Sequence, residues 1–304
     1  MHTEAVITCD NIEKKYKNFT LSVDHLEFPK GFATALIGEN GAGKTTLLEM
    51  SAGLRLDHKG SISYFDEYSE EDRETNPIVK NQIGYTGTGN YFMPQWTLSQ
   101  TKAAQELLFD GFDGEKYDAI LTDLALNNGN PFEGSKKVNA LSDGNRTKLM
   151  LAGVLARDTK VLLMDEPASP LDPLMRDKLC TMIQDYIASS DGERSVIFST
   201  HNISDMENVT DYAIFVENGA VVEQGFVEEL KEKYTYIKGD TEDADAVAPH
   251  LYDCTKNKYG FEGLCLSEEL DALAGYDLIK ETPSLMQLSV GIMRANTKLG
   301  SGNR

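Results

Sequence analysis

The chain has 304 residues, enough for one large domain or two smaller ones, and its 40% hydrophobic and 26% charged residues are those of an ordinary globular protein. Carboxylates outnumber Lys and Arg by 49 to 29, a formal net charge of -20. Such a surface repels phosphate backbones and anionic headgroups, which argues against direct binding to nucleic acid or to a lipid leaflet. Met1 to Cys9 lacks a charged-then-apolar leader, no run of about eighteen apolar residues occurs, and Cys9, Cys180, Cys254 and Cys265 form no C-x-x-C pair. These features predict a cytoplasmic chain with reduced thiols and no membrane span of its own.

Period-two patterning predicts antiparallel strands at 4–9 and 19–28, with Pro29-Lys30-Gly31 turning the chain into a buried strand, Phe32 to Ile37. Immediately after it runs Gly38-Glu-Asn40-Gly41-Ala42-Gly43-Lys44-Thr45-Thr46, followed by a helix opening at Thr46 to Ala52. This is a complete G-x-x-x-x-G-K-[ST] loop between a strand and a helix. Its glycines let backbone N–H groups wrap phosphates at a helix N-terminus. Lys44 can then reach the β- and γ-phosphates of a nucleoside triphosphate, and the Thr45 hydroxyl can ligate Mg²⁺.

Lys59-Gly60 reads as a hairpin turn leading into Ser61 to Phe65. From about Thr97 to Leu155 the pattern turns helical, at Leu98 to Phe109, Tyr117 to Leu126 and Arg146 to Leu155. Buried strands return at Val161 to Met164 and Ser195 to Ser199, and Glu217-Asn218-Gly219 joins a last strand pair. The strand at Val161 ends in Asp165-Glu166. Beside a phosphate loop, Asp165 can hold Mg²⁺ through water and Glu166 can orient and polarise the attacking water. Beyond Lys231 the composition shifts: Gly239 to Asp245 is acidic and reads as a solvated loop, followed by mixed helix-like and strand-like pieces.

These motifs together resemble the ATPase subunit of an ATP-binding cassette (ABC) transporter. Tyr16 matches the aromatic that stacks on adenine. Leu141-Ser142-Asp143-Gly144-Asn145 is similar to the signature usually written L-S-G-G-Q, with Ser142, Gly144 and Asn145 on the nucleotide. Asp172, in Ala168-Ser-Pro-Leu171-Asp172-Pro173, matches the loop communicating between two nucleotide sites, and His201 the histidine that contacts the γ-phosphate. Three positions depart from the pattern. Thr88 stands where a glutamine that joins the Mg²⁺ site is usual, with Gln95 nearby, and in the signature Asp143 replaces a glycine and Asn145 a glutamine.

The resemblance implies a P-loop NTPase core, a mostly parallel sheet flanked by helices, with an antiparallel β subdomain and a helical insertion at about 89–158. The nucleotide-binding domain would span 1–230 and a small C-terminal appendage 231–304. It implies a head-to-tail dimer closing on two ATPs, powering a membrane-spanning permease at the inner face of the cell membrane. Thr282 to Arg294 looks like the terminal segment of cassettes serving bacterial exporters of peptides, lipids or antibiotics. A cassette ATPase uncoupled from transport, a small-molecule kinase and a regulatory ATP-binding module remain alternatives.

Overall fold

The computed structural model describes residues 4–87, 89, 91–126 and 134–301, with side chains as far as Asn296. The chain opens with a hairpin, β1 (Ala5–Lys15) and β2 (Thr20–Pro29), before β3 (Ala33–Ile37), the phosphate loop and α1 (Lys44–Ser51). Next come β4 (Lys59–Tyr64), β5 (Tyr68–Ser69), α2 (Glu70–Thr75), α3 (Pro77–Asn81) and β6 (Ile83–Thr86). The helical stretch holds α4 (Leu98–Leu108), α5 (Gly114–Asp123) and α6 (Asp143–Leu155). The core is completed by β7 (Val161–Asp165), α7 (Pro173–Ala188), β8 (Ser195–Thr200), β9 (Tyr212–Glu217), β10 (Ala220–Phe226) and α8 (Val227–Lys233). The C-terminal part comprises β11 (Tyr234–Gly239), α9 (Ala244–Val247), β12 (Asp253–Asn257), β13 (Gly260–Leu266), β14 (Ile279–Glu281) and α10 (Leu285–Ser301).

The central sheet has the order β10-β9-β3-β8-β7-β6, parallel throughout except for β10 at one edge. Its inner strands are apolar on both faces because both faces are covered. Alternation along the strands divides them between two cores. Ala33, Ala35, Ile37, Leu162, Met164, Val196 and Phe198 face the core shared with α6 and α7, while Leu36, Val161, Leu163 and Ile197 face the one shared with α1 and the β1-β2-β4 layer. The register pairs Ile37 with Thr200, and Asp165 with Ser199. The carboxyl ends of β3, β7 and β8 therefore share one edge, where open α/β sheets bind ligands.

The second sheet, β2-β1-β4-β5, is antiparallel. Here Lys59-Gly60 does not form a hairpin turn but starts β4. Gly60 has φ +90°, and a Cβ on it would lie 2.4 Å from the Asn11 carbonyl oxygen, so the glycine permits close approach where the β1–β4 register shifts.

A third sheet, β12-β13-β11-β14, gathers its own cluster around Ile237, Phe261 and Cys265. The acidic stretch is not a plain solvated loop: Ala244 and Val247 of α9 are buried in this cluster while Asp245 between them faces out. The chain then returns to the core through α10, opened by a reciprocal Ser284–Gln287 cap and by the Leu285 N–H donating to Glu207 Oε1 at 2.8 Å. Leu285, Leu288 and Ile292 of α10 are buried in the main core. Helix α8 spans residue 230, so the chain passes from core to third sheet without a linker. Among the described residues, no helix is long and apolar enough to cross a membrane.

Candidate functional site

The phosphate loop lies between β3 and α1 because its residues leave no alternative. A Cβ on Gly38 would stand 2.2 Å from the Val216 carbonyl oxygen, so only glycine lets the chain leave β3 against β9. Gly41 and Gly43 have φ +88° and +111°, in the region that favours glycine. Gly43 caps α1 and supplies no side-chain acceptor, so no side chain caps the first N–H groups of the helix.

Lys44 lies beneath this loop, only 5% exposed, its Nζ donating to the carbonyls of Gly38 (2.7 Å) and Glu39 (3.0 Å) and 3.9 Å from Glu166 Oε1. Burial pushes its ammonium below the usual lysine range, against the pull of Glu166 and Asp165.

The Thr45 hydroxyl donates to Asp165, 2.9 and 3.0 Å from its two carboxylate oxygens. Ser199, at the end of β8, joins the two acids. Its Oγ donates to Asp165 Oδ1 at 2.6 Å and accepts the Glu166 N–H at 2.9 Å. That second bond holds Glu166 at φ +50°, a left-handed conformation costing a non-glycine residue about 1–3 kcal/mol. His201 Nδ1 is 2.8 Å from Glu166 Oε2; a carboxylate only accepts, so the shared proton sits on the ring nitrogen. Sequence reasoning missed Ser199, whose signal is a hydroxyl that follows the apolar run Val196 to Phe198 two positions before His201.

Lys44, Thr45, Asp165 and Glu166 line a cleft of about 490 Å³ together with Tyr16, Phe19, Asn40, Gly41, Gly43 and Thr46, while Ser199 and His201 stand outside its lining and act on Glu166 and Asp165. Tyr16, 40% exposed, lines the cleft with its hydroxyl 3.1 Å from Thr46 Oγ1. Ala42 is buried behind the loop. Hydroxyl and carboxylate oxygens at Thr45 and Asp165 suit Mg²⁺, a hard cation that keeps several waters and phosphate oxygens. Among the described residues no three His, Cys, Asp or Glu side chains gather to hold a metal unaided. Thr88 lies outside the described residues, and Gln95 is exposed and does not line the cleft.

The signature residues are not brought to this cleft. Ser142 caps α6, accepting the Asn145 N–H at 3.3 Å, and α6 begins at Asp143 rather than at Arg146 as expected from sequence. Asp143 points into solvent and pairs with Arg146 at 3.0 Å. Gly144 packs closely on the following loop: a Cβ there would lie 2.8 Å from the Pro170 carbonyl oxygen. Asp172 caps α7 through the Met175 N–H at 3.1 Å, with Pro173 as its first residue.

Comparison with known proteins bears on the family and the fold. The family model for ABC transporters matches residues 21–169. The ATP-binding protein TupC of a tungstate uptake system, from Peptoclostridium acidaminophilum, is 32% identical over 219 residues, 71% of this chain and 97% of its own. An uncharacterised ABC transporter ATP-binding protein of Bacillus subtilis, YhcH, is 29% identical over 283 residues, 89% of this chain and 87% of its own. Among solved structures, a dimeric ATP-binding cassette in a post-hydrolysis state with ADP and Pi superposes with a TM-score of 0.61 at 23% identity, covering 73% of this chain and 98% of that one. The chain belongs to the ATP-binding subunits of ABC transporters, and it is an ATPase.

Proposed function

We propose that two nucleotide-binding subunits, this chain and either a second copy or a related chain, close head to tail on two ATP molecules and drive a membrane-spanning permease. In this reading Lys44 and the loop N–H groups hold the β- and γ-phosphates, and Tyr16 stacks on adenine. Thr45 and Asp165 hold Mg²⁺, with Thr88 assigned to the same ion; when bound, the ion supplies positive charge to the phosphates. Glu166, aligned by Ser199 and His201, orients the attacking water, and His201 faces the γ-phosphate. Ser142, Gly144 and Asn145 of one chain bind the ATP held by the other, with Asp172 between the two sites. Closure follows ATP binding, and loss of the γ-phosphate reopens the dimer.

The observation that carries the reading is the continuous contact chain from Thr45 through Asp165, Ser199 and Glu166 to His201. It matters because one buried hydroxyl aligns the metal-holding and water-orienting acids together. We assign residues 1–230 to the nucleotide-binding domain and 231–304 to an accessory region, with the chain held at the inner membrane face by its permease.

The direction assigned is export, of a peptide, lipid or antibiotic-like substrate. Its support is the resemblance of Thr282 to Arg294 to the terminal segment of exporter cassettes, set against relatives that are named for tungstate, thiamine and nickel uptake. The test of the catalytic reading is Glu166→Gln. It keeps ATP affinity by calorimetry, slows turnover roughly a hundred- to ten-thousandfold, and accumulates an ATP-dependent dimer in light scattering. Turnover at the parent rate overturns the role of Glu166.

A further inference from the structure

The cleft that carries the phosphate loop draws its two walls from different sheets. The loop leaves β3 of the central sheet, whereas Tyr16 and Phe19 lie in the turn between β1 and β2 of the antiparallel sheet. That turn is tight: the Tyr16 N–H donates to the Phe19 carbonyl at 2.7 Å, and the two rings stand 6.0 Å apart. Apolar contact joins the walls, since a Cβ on Gly43 would meet Phe19 Cζ at 3.1 Å and Leu21 Cδ1 at 3.0 Å. Such contact is non-directional and lets one wall slide over the other. The Tyr16 hydroxyl also meets Thr46 Oγ1, but this contact is exposed, where water competes for both groups.

A firmer tie runs through a third element, the turn from β9 to β10. Glu217 pairs with Ala220, so Asn218 and Gly219 form a two-residue turn, with φ +49° and +81°. A type I′ turn needs positive φ at both positions, which Asn tolerates and Gly adopts freely. Gly219 has a second reason to be glycine. Its N–H donates to the Ala42 carbonyl inside the phosphate loop at 3.1 Å, and its own carbonyl accepts the Ser22 N–H of β2 at 2.7 Å. A Cβ on it would stand 2.1 Å from the Thr20 carbonyl oxygen and 3.2 Å from Phe19 Cε2. One residue without a side chain is therefore bonded to both walls and leaves no space between itself and the aromatic one.

We propose that Gly219 is a positioning residue of the nucleotide cleft, setting the offset between the loop that holds phosphate and the aromatic wall that faces the base. The inference rests on the adenine role given to Tyr16 above. A bare triphosphate meets the loop alone and does not sense the offset. A nucleotide must satisfy both walls at once, so a shift of the aromatic wall is felt only by a ligand that carries a base.

Calorimetry with two ligands, MgATP and magnesium tripolyphosphate, separates the walls. Gly219→Ala keeps the Kd of tripolyphosphate within about twofold of the parent and raises that of MgATP roughly tenfold, the loss of one base stack. Gly219→Asn gives the same selective loss, because Asn accepts the positive φ but brings the same Cβ against Thr20. An Asn variant that binds MgATP like the parent overturns the proposal, since strain in the turn then accounts for the Ala result. So does an equal loss for both ligands, which marks damage to the loop, or no loss for either.

If the variants do not fold, hydrogen exchange in the parent chain carries the test. Tripolyphosphate, which touches only the loop, slows exchange of the Ser22 amide by about twofold or more relative to Leu26 farther along β2. Unchanged exchange, or equal slowing along β2, overturns the tie. Failure of the adenine role is told apart by Tyr16→Ala: MgATP affinity at the parent value defeats that role and leaves the tie between the walls to the exchange measurement.

Discussion

The phosphate loop and the signature stretch, both assigned to phosphate in the proposed function, are built on different principles. The loop side is cross-bonded from three strand ends, with Lys44 and Asp165 buried, Glu166 half-buried and Thr45 exposed but bonded to Asp165, so its polar groups are fixed before any ligand arrives. The signature side, at Ser142 to Asn145, is a lightly capped helix start facing solvent, with its acid tied only to its own helix. Preorganisation on one side and exposure on the other suit a site completed by association: one chain supplies the rigid half, and the other half acquires its partner only on closure.

The sharpest way to break this contrast is Lys44→Ala. It removes the one buried cation at the loop, and ATP affinity measured by calorimetry falls by about 3 kcal/mol, roughly a hundredfold. Ser199→Ala tests whether the rigid half is rigid for the reason given. The Glu166 N–H loses its acceptor in a buried setting, and urea unfolding reports a loss of about 1–3 kcal/mol together with slower turnover. A neutral result shows that Glu166 holds its left-handed conformation without Ser199. Gly144→Ala probes the exposed half. The added methyl meets the Pro170 carbonyl, so ATP-dependent dimerisation in sedimentation weakens by about 1 kcal/mol, roughly fivefold. ATP binding to the single chain stays unchanged. Weakened monomer binding instead would place Gly144 in the first half.

The legible parts of the site are those whose geometry is local. The phosphate loop is readable because strand, glycines, Lys44 and helix are adjacent in sequence, and Asp165-Glu166 because an apolar strand announces them. Ser199 was hidden because its role depends on β7 and β8 lying side by side, which no spacing rule encodes. Lys59-Gly60 misled for the opposite reason. A glycine next to a polar residue signals a turn, yet the positive φ here serves close packing on β1. The acidic run near 240 hid the anchor of α9 because Val247, which with Ala244 forms its buried face, falls beyond the carboxylates.

The return of α10 to the core has a consequence for how the molecule comes apart. The chain leaves the central sheet at α8 and is fastened to it again by Leu285, Leu288 and Ile292. The third sheet is therefore tethered at both ends. A protease that nicks the exposed stretch near Glu242 would leave two fragments holding each other in one particle, and gel filtration of the nicked protein would show no change in size. Only a denaturing gel would reveal the cut, so intact size is no proof of an intact chain.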